Sequence, residues 1–200
     1  MSPASASALD PGDAVEPGDD EEASGERERA PLDFTAVFEA ELGYVWNALR
    51  RLGVPAQDLE DKTHDVFVAV YKRRAEFDDE RPIKPWLFGF AFRVAAAHRR
   101  LARMRREVLD DGLDARGGAS NGDDAEDALA RGRDRELLMR ALDDLDLDRR
   151  AIVVMHDLDG HAMPEIARAL DVPLNTAYSR LRLARGELRA AVEKRKRGAR

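Results

Sequence analysis

The stretch MPEIARALDVPLNTAYSRLRLAR, Met163 to Arg185, decides the fold. Ile166, Ala167 and Leu170, with Glu165 beside them, set an apolar stripe at helical spacing. Asp171, Val172 and Pro173 break that helix. A second helix restarts at Thr176, with Ala177, Leu181 and Ala184 turned inward and Tyr178, Ser179, Arg180 and Arg182 outward. Small Ala167 lets the two helices cross closely, and Val172 plugs the turn. This is the pattern of a helix-turn-helix, whose second helix enters the major groove of DNA. From Tyr178 to the C-terminus there are nine Lys/Arg against two acids, Glu187 and Glu193, a net charge of +7. Such a basic stripe is what neutralising phosphates requires.

The whole chain has 200 residues and a formal charge of −7, which by itself argues against a DNA partner. The distribution resolves the conflict. Residues 1–31 hold nine acids and two arginines, so the remaining 169 residues balance at 31 basic and 31 acidic side chains. Segregation within that balanced body matters more for binding than the sum. The absence of cysteine excludes disulfides, thiolate metal sites and cysteine nucleophiles, and fits a reducing cytoplasm. No apolar run approaches the ~18 residues of a membrane span, and no signal peptide is visible. A cytoplasmic chain without a membrane partner is expected.

Residues 1–31, rich in Ser, Ala, Pro, Gly and acids, are expected to be a disordered acidic tail. An N-terminal helical domain follows over 32–109. Asp33 can cap a first helix reaching Leu52, with Phe34, Val37, Phe38, Leu42, Val45, Trp46 and Leu49 on one face. Gly53 and Pro55 stop it. A second helix is expected from Gln57 to Glu76, then a polar loop from Phe77 to Pro85. A third helix begins near Trp86 and runs to Leu109, apolar at first and then arginine-rich. Residues 110–134, Gly- and Asp-rich, read as a flexible acidic linker. A second domain over 135–200 opens with a helix carrying Leu137, Leu138, Ala141, Leu142 and Leu145. Asp148 is expected to cap the next helix, and the helix-turn-helix completes the domain. The fold class is therefore all-α, two small helical domains joined by a flexible linker.

Three stretches in register, QDLEDKTHDVF (Gln57–Phe67), PWLFGFAFRVAAAHRR (Pro85–Arg100) and the helix-turn-helix, resemble the extracytoplasmic-function group of bacterial RNA polymerase sigma factors. The resemblance covers residues 33–193 and omits the acidic tail. It implies that the first motif docks on core polymerase through Asp58, Asp61, His64 and Asp65, with Phe67 as an apolar anchor. His64 stands where the family usually has Gln. An acidic and apolar strip suits a basic helical partner.

The second motif resembles the promoter-opening helix, with Trp86 and Leu87 packing its start. Melting requires unstacked bases to be captured and single strands to be held on a basic surface. Arg93, His98, Arg99, Arg100 and Arg103 are the implied −10 contacts. Arg93 and Ala97 depart from the residues common in the family and bear on the −10 preference. The third motif is implied to read the −35 element through Thr176, Tyr178, Ser179, Arg180 and Arg182. Its first helix lacks a Ser or Thr cap because Ala162 stands there, and Asn175 occupies a position where Gly is common, which an αL-tolerant Asn can mimic.

The resemblance implies a sigma factor that directs core polymerase to promoters and assists DNA opening. Its expected partners are RNA polymerase core enzyme, promoter DNA and, as is common in the family, an anti-sigma factor. Read on the C-terminal motif alone, a stand-alone helix-turn-helix regulator remains open. No catalytic constellation is present, and no cofactor is called for. His64, His98, His156 and His161 lack the spacing of a metal site.

Overall fold

Asp33 accepts a hydrogen bond from the Ala36 amide at 3.1 Å and so starts α1, Phe34–Arg51. This is the cap read from the sequence; such a cap is worth ~1 kcal/mol against Ala. In this computed structural model, residues 32–109 and 127–198 are described. The tail over 1–31, most of the expected linker and Arg200 lie outside them.

Gly53, at φ +92°, ends α1 in the left-handed region where a side chain is strained. Helix α2 covers Leu59–Lys72, shorter than the expected Gln57–Glu76. One turn of 3-10 helix stands on each side, at Ala56–Asp58 and Arg74–Glu76. Helix α3, Ile83–Leu109, begins three residues before Trp86, because Pro85 falls in its first turn, where its missing amide is harmless. Val45 and Leu49 of α1, Leu52 at its C-cap, Val66 and Val70 of α2, and Leu87, Phe88 and Ala91 of α3 meet in the centre of this three-helix unit.

Helix α4 covers Asp127–Leu142 and therefore occupies the last eight residues of the segment expected to be linker. Helix α5, Leu147–Val153, is capped by Asp146, which accepts from the Arg149 amide at 2.9 Å; the expected cap, Asp148, lies inside the first turn. A π-turn, Val154–Leu158, continues α5, with the Asp159 amide bonded to the Val154 carbonyl five residues back. Helices α6, Met163–Ala169, and α7, Leu174–Gly198, form the helix-turn-helix. The left-handed residue of its turn is Asp171, at φ +54°; Asn175 lies within α7 and needs no such conformation. Val172 donates its amide to the Ala167 carbonyl at 2.9 Å and packs against the core, closing the turn as expected.

Seven α-helices and no strand occur among the described residues, and none of the helices is long and apolar enough to cross a membrane. Residues of both helical groups belong to one continuous buried cluster. The first turns of α3 press on the end of α6 so closely that a Cβ on Gly89 would stand 2.6 Å from the Ala169 carbonyl oxygen. Only glycine fits there. The polar part of this junction centres on Arg150 of α5, which is 2% exposed. Its Nε donates to the Arg51 carbonyl and its Nη1 pairs with Asp143 at 2.6 Å. Burial lowers the Arg150 pKa from its ordinary value, against the pull of Asp143.

Candidate nucleic-acid interface and docking face

On α2 and the turn before it, Asp58, Asp61 and Asp65 recur at a spacing that puts them on one side of the helix. They line a groove whose opposite wall is α3, through Val94, Ala97, His98, Leu101 and Arg105. Asp61, His64 and Asp65 are exposed. Asp65 pairs with Lys62 at 2.6 Å, one turn away, and Asp58 with His98 at 3.1 Å. His98 thus faces the acidic groove and stands apart from the arginines with which the sequence grouped it. The reason is helical phase: His98 shares its side of α3 with Val94, Leu101 and Arg105.

Phe67 does not serve as an exposed anchor. It is 3% exposed and packs edge-on against Phe38, with centroids 4.8 Å apart, and against Phe34 at 6.3 Å. The apolar surface available on this side is formed by Phe38, Val68 and Tyr71, all more than a third exposed. Sequence periodicity marks Phe67 as apolar but cannot tell a core position from a contact one.

The second half of α3 presents Arg99, Arg100 and Arg103 to solvent. Its first half is anchored by Trp86, whose ring meets Phe90 at 4.8 Å and Phe77 at 5.0 Å. Arg93 lies over the Phe90 ring at 4.6 Å and is exposed. Partial desolvation and the neighbouring Arg73 lower its pKa, while Asp171 of the helix-turn-helix opposes this. Arg93, seven residues before Arg100, stands on the same side of α3.

On the helix-turn-helix, Tyr178, Ser179 and Arg182 are exposed on one side of α7, and Ala177, Leu181 and Ala184 are buried on the other. The Ser179 hydroxyl donates to the Thr176 carbonyl at 2.9 Å. Arg180 leans on α5, where it pairs with Asp148 at 3.1 Å. Arg185 grips Asp157 through two nitrogens at 2.5 and 3.0 Å, which holds that carboxyl below its usual pKa. Arg182 forms no ion pair among the described residues. Ala162 offers no side-chain cap, yet Glu165 reaches back and accepts from the Ala162 amide at 3.1 Å. No grouping of His, Cys, Asp and Glu able to hold a metal occurs among the described residues.

An acid-lined helical face on one unit and a helix-turn-helix with a basic outer face on the other define a two-part DNA-binding transcription protein. The Sigma-70 region 2 family matches residues 37–107, and the Sigma-70, region 4 family matches residues 135–188. RNA polymerase sigma factor NccH of Alcaligenes xylosoxydans xylosoxydans is 30% identical over 155 residues, 73% of this chain and 79% of its own. RNA polymerase sigma factor CnrH of Cupriavidus metallidurans is 29% identical over 152 residues, with the same coverage. Among solved structures, CnrH in complex with the cytosolic domain of CnrY matches at a TM-score of 0.54 and 26% identity, over 80% of this chain and 88% of that one. The sigma factor RpoE of Bartonella quintana, in complex with the anti-sigma factor NepR, shares the fold at a TM-score of 0.63 and 18% identity, over 80% of this chain and 97% of that one. The chain belongs to the extracytoplasmic-function group of the sigma-70 family. It directs RNA polymerase core enzyme to promoters, and the match to both regions leaves the stand-alone regulator without support.

Proposed function

We propose a division of labour among named residues. Asp58, Asp61, His64 and Asp65 dock on the core enzyme. Arg99, Arg100 and Arg103 hold DNA opened at −10. Tyr178, Ser179 and Arg182, with Thr176 and Arg180 at the margin, read −35. The observation that carries this reading is the segregation of charge: carboxylates on the α2 groove, and on the outer face of α7 the Arg182 guanidinium, without an ion pair among the described residues. A carboxylate row complements a basic helical partner, and an arginine in the major groove pairs with guanine edges or phosphates.

The chain supplies no bond-making step of its own; the polymerase makes RNA and this subunit chooses where. Its place of work is the compartment of the chromosome and polymerase, the cytoplasm. The solved relatives are bound to regulators, CnrH to the cytosolic domain of CnrY and RpoE to the anti-sigma factor NepR, which supports an anti-sigma partner for this chain too.

Charge reversal tests the assignment. Asp61→Lys with Asp65→Lys removes co-elution with core enzyme and leaves the helical signal intact. Arg182→Ala weakens binding to a −35 duplex by about 1–3 kcal/mol if it contacts a base edge, and lowers the salt dependence by about one ion if it contacts phosphate. Retention of core binding by the reversed chain, or of full −35 affinity by the Arg182 variant, refutes the corresponding assignment.

A further inference from the structure

Helix α7 runs ten residues past the matched sigma region, which ends at 188, and its last stretch, 189–198, is basic. The cations of this helix divide by side. Arg180, Arg185 and Arg195 are each tied to an acid of the same helical group, Asp148, Asp157 and Asp144. Arg182, Arg189 and Lys196 are exposed and form no ion pair among the described residues. With the exposed Asn175 they recur every seven residues, and seven residues make nearly two whole turns, so the four stand in one straight row. The opposite side of the helix carries the buried Ala177, Leu181, Ala184 and Ala191. Glu193 is the one acid on the row's side of α7 among the described residues.

On the assignment above, Tyr178, Ser179 and Arg182 meet base edges. Each residue advances a helix by ~1.5 Å, so Arg189 stands ~10 Å and Lys196 ~21 Å beyond Arg182 along the axis. The major groove is only ~12 Å wide. A helix whose first turns fill the groove has reached the rim by Arg189 and passed it by Lys196, where phosphates and not bases are in range. The homeodomain shows the same division: its long recognition helix reads bases along its length and touches the backbone with its C-terminal end. Support of the helix itself accounts for only part of the row. Cations complement the helix dipole within the last turn, which holds Arg195, Lys196 and Arg197 and leaves out Arg189.

We propose that Arg189, Lys196 and Arg197 form a phosphate clamp that grips the duplex backbone beside the −35 element without regard to its sequence. The clamp rests on the −35 assignment of Tyr178, Ser179 and Arg182 and adds to it a second, sequence-independent site. Exposed, unpaired cations displace the counterions of DNA without first giving up a contact inside the protein. Arg180, Arg185 and Arg195 would have to give one up. Glu193, between Arg189 and Lys196, faces the same phosphates and opposes the grip. The first turns of α7 thus read, and the last turns hold.

The test measures binding of the full-length chain to two duplexes, of about 30 and about 10 base pairs, each centred on the −35 element of a promoter mapped from transcripts of the reconstituted holoenzyme. Arg189→Gln, Lys196→Gln and Arg197→Gln together should weaken binding to the long duplex about 10-fold at about 0.1 M salt and lower the salt dependence by about two to three ions. The loss should be the same when the −35 sequence is scrambled, as phosphate contacts require. On the short duplex, which lacks the flanking phosphates, it should all but vanish. Glu193→Gln should act in the opposite sense and tighten the long duplex about 2-fold. Far-UV circular dichroism checks that the helix is kept. Wild-type affinity and salt dependence in the triple variant overturn the clamp, and so does an equal loss on both duplexes. Wild-type DNA binding with diminished transcription would give the row to an acidic protein surface and would overturn the clamp as well. Failure of the −35 reading looks different: Arg182→Ala would then cost nothing on the matched duplex, whatever the triple variant does.

Discussion

His161 meets the Tyr44 ring edge-on at 6.4 Å, with Nε2 in reach of the phenol. Burial lowers its pKa from the ordinary histidine value; Asp159 and Glu165 pull it upward, and Lys84 adds to the lowering. The sign of the pH effect follows. Below the unfolded value of ~6.5 the unfolded chain takes up a proton that the folded imidazole resists. Stability is then full above that pH and falls as the pH drops through it, until the folded histidine also protonates. The urea midpoint should therefore be lower at about pH 5.5 than at about pH 7.5, and His161→Gln should shrink the difference. An equal acid loss in the variant would assign the effect to other groups. Tyr44 is affected in the opposite sense: burial first, then the Asp159 charge, raises its pKa and keeps it a neutral donor.

At the scale of elements, the sequence was most legible where a cap and an apolar stripe agreed. Asp33 and the stripe from Phe34 to Leu49 set the start and course of α1, and Gly53 set its end, because all three signals are local. Elsewhere local chemistry was ambiguous. Asp146 and Asp148 are equally good caps by type, and only Leu145 and Ile152 sinking into the core choose Asp146. Replacing Asp146 by Ala should cost about 1 kcal/mol in urea unfolding, whereas Asp148→Ala should cost less. A larger loss at Asp148 would contradict the cap. The π-turn at Val154–Leu158 leaves no pattern in sequence, since one extra residue per turn only shifts the stripe. The early start of α4 was hidden by a weakly amphipathic run of charges and glycine. The one-sided spacing of Asp58, Asp61 and Asp65 and the outer side of α7 could be read from the sequence, whereas a docking role for those carboxylates came only from the family resemblance. The turning of His98 toward Asp58 could not be read, because that partner is 40 residues away in sequence.

For the molecule as a whole, the shared core makes a claim about cooperativity. The buried cluster runs from Val45 and Phe88 through Leu142 and Met155 to Ile166 and Leu181, so neither helical group closes its apolar surface alone. An interface between helical units of this size is comparable to a transient protein contact, and its strength depends on the few polar anchors that fix its register. The two tryptophans, Trp46 on α1 and Trp86 on α3, report only the first group, whereas far-UV circular dichroism sums all seven helices. If the groups unfold together, the fluorescence and dichroism curves of the intact chain superimpose in urea, as two-state unfolding requires. Arg51→Ala with Asp159→Ala removes an ion pair that is one-quarter exposed on one side and nearly buried on the other. With that anchor gone the α4–α7 group, whose helices α5 and α6 span only seven residues each, should melt at lower urea. The dichroism curve should then precede the fluorescence curve. Superimposed curves in the double variant would mean that apolar packing alone, from Gly89 against Ala169 outward, couples the two groups.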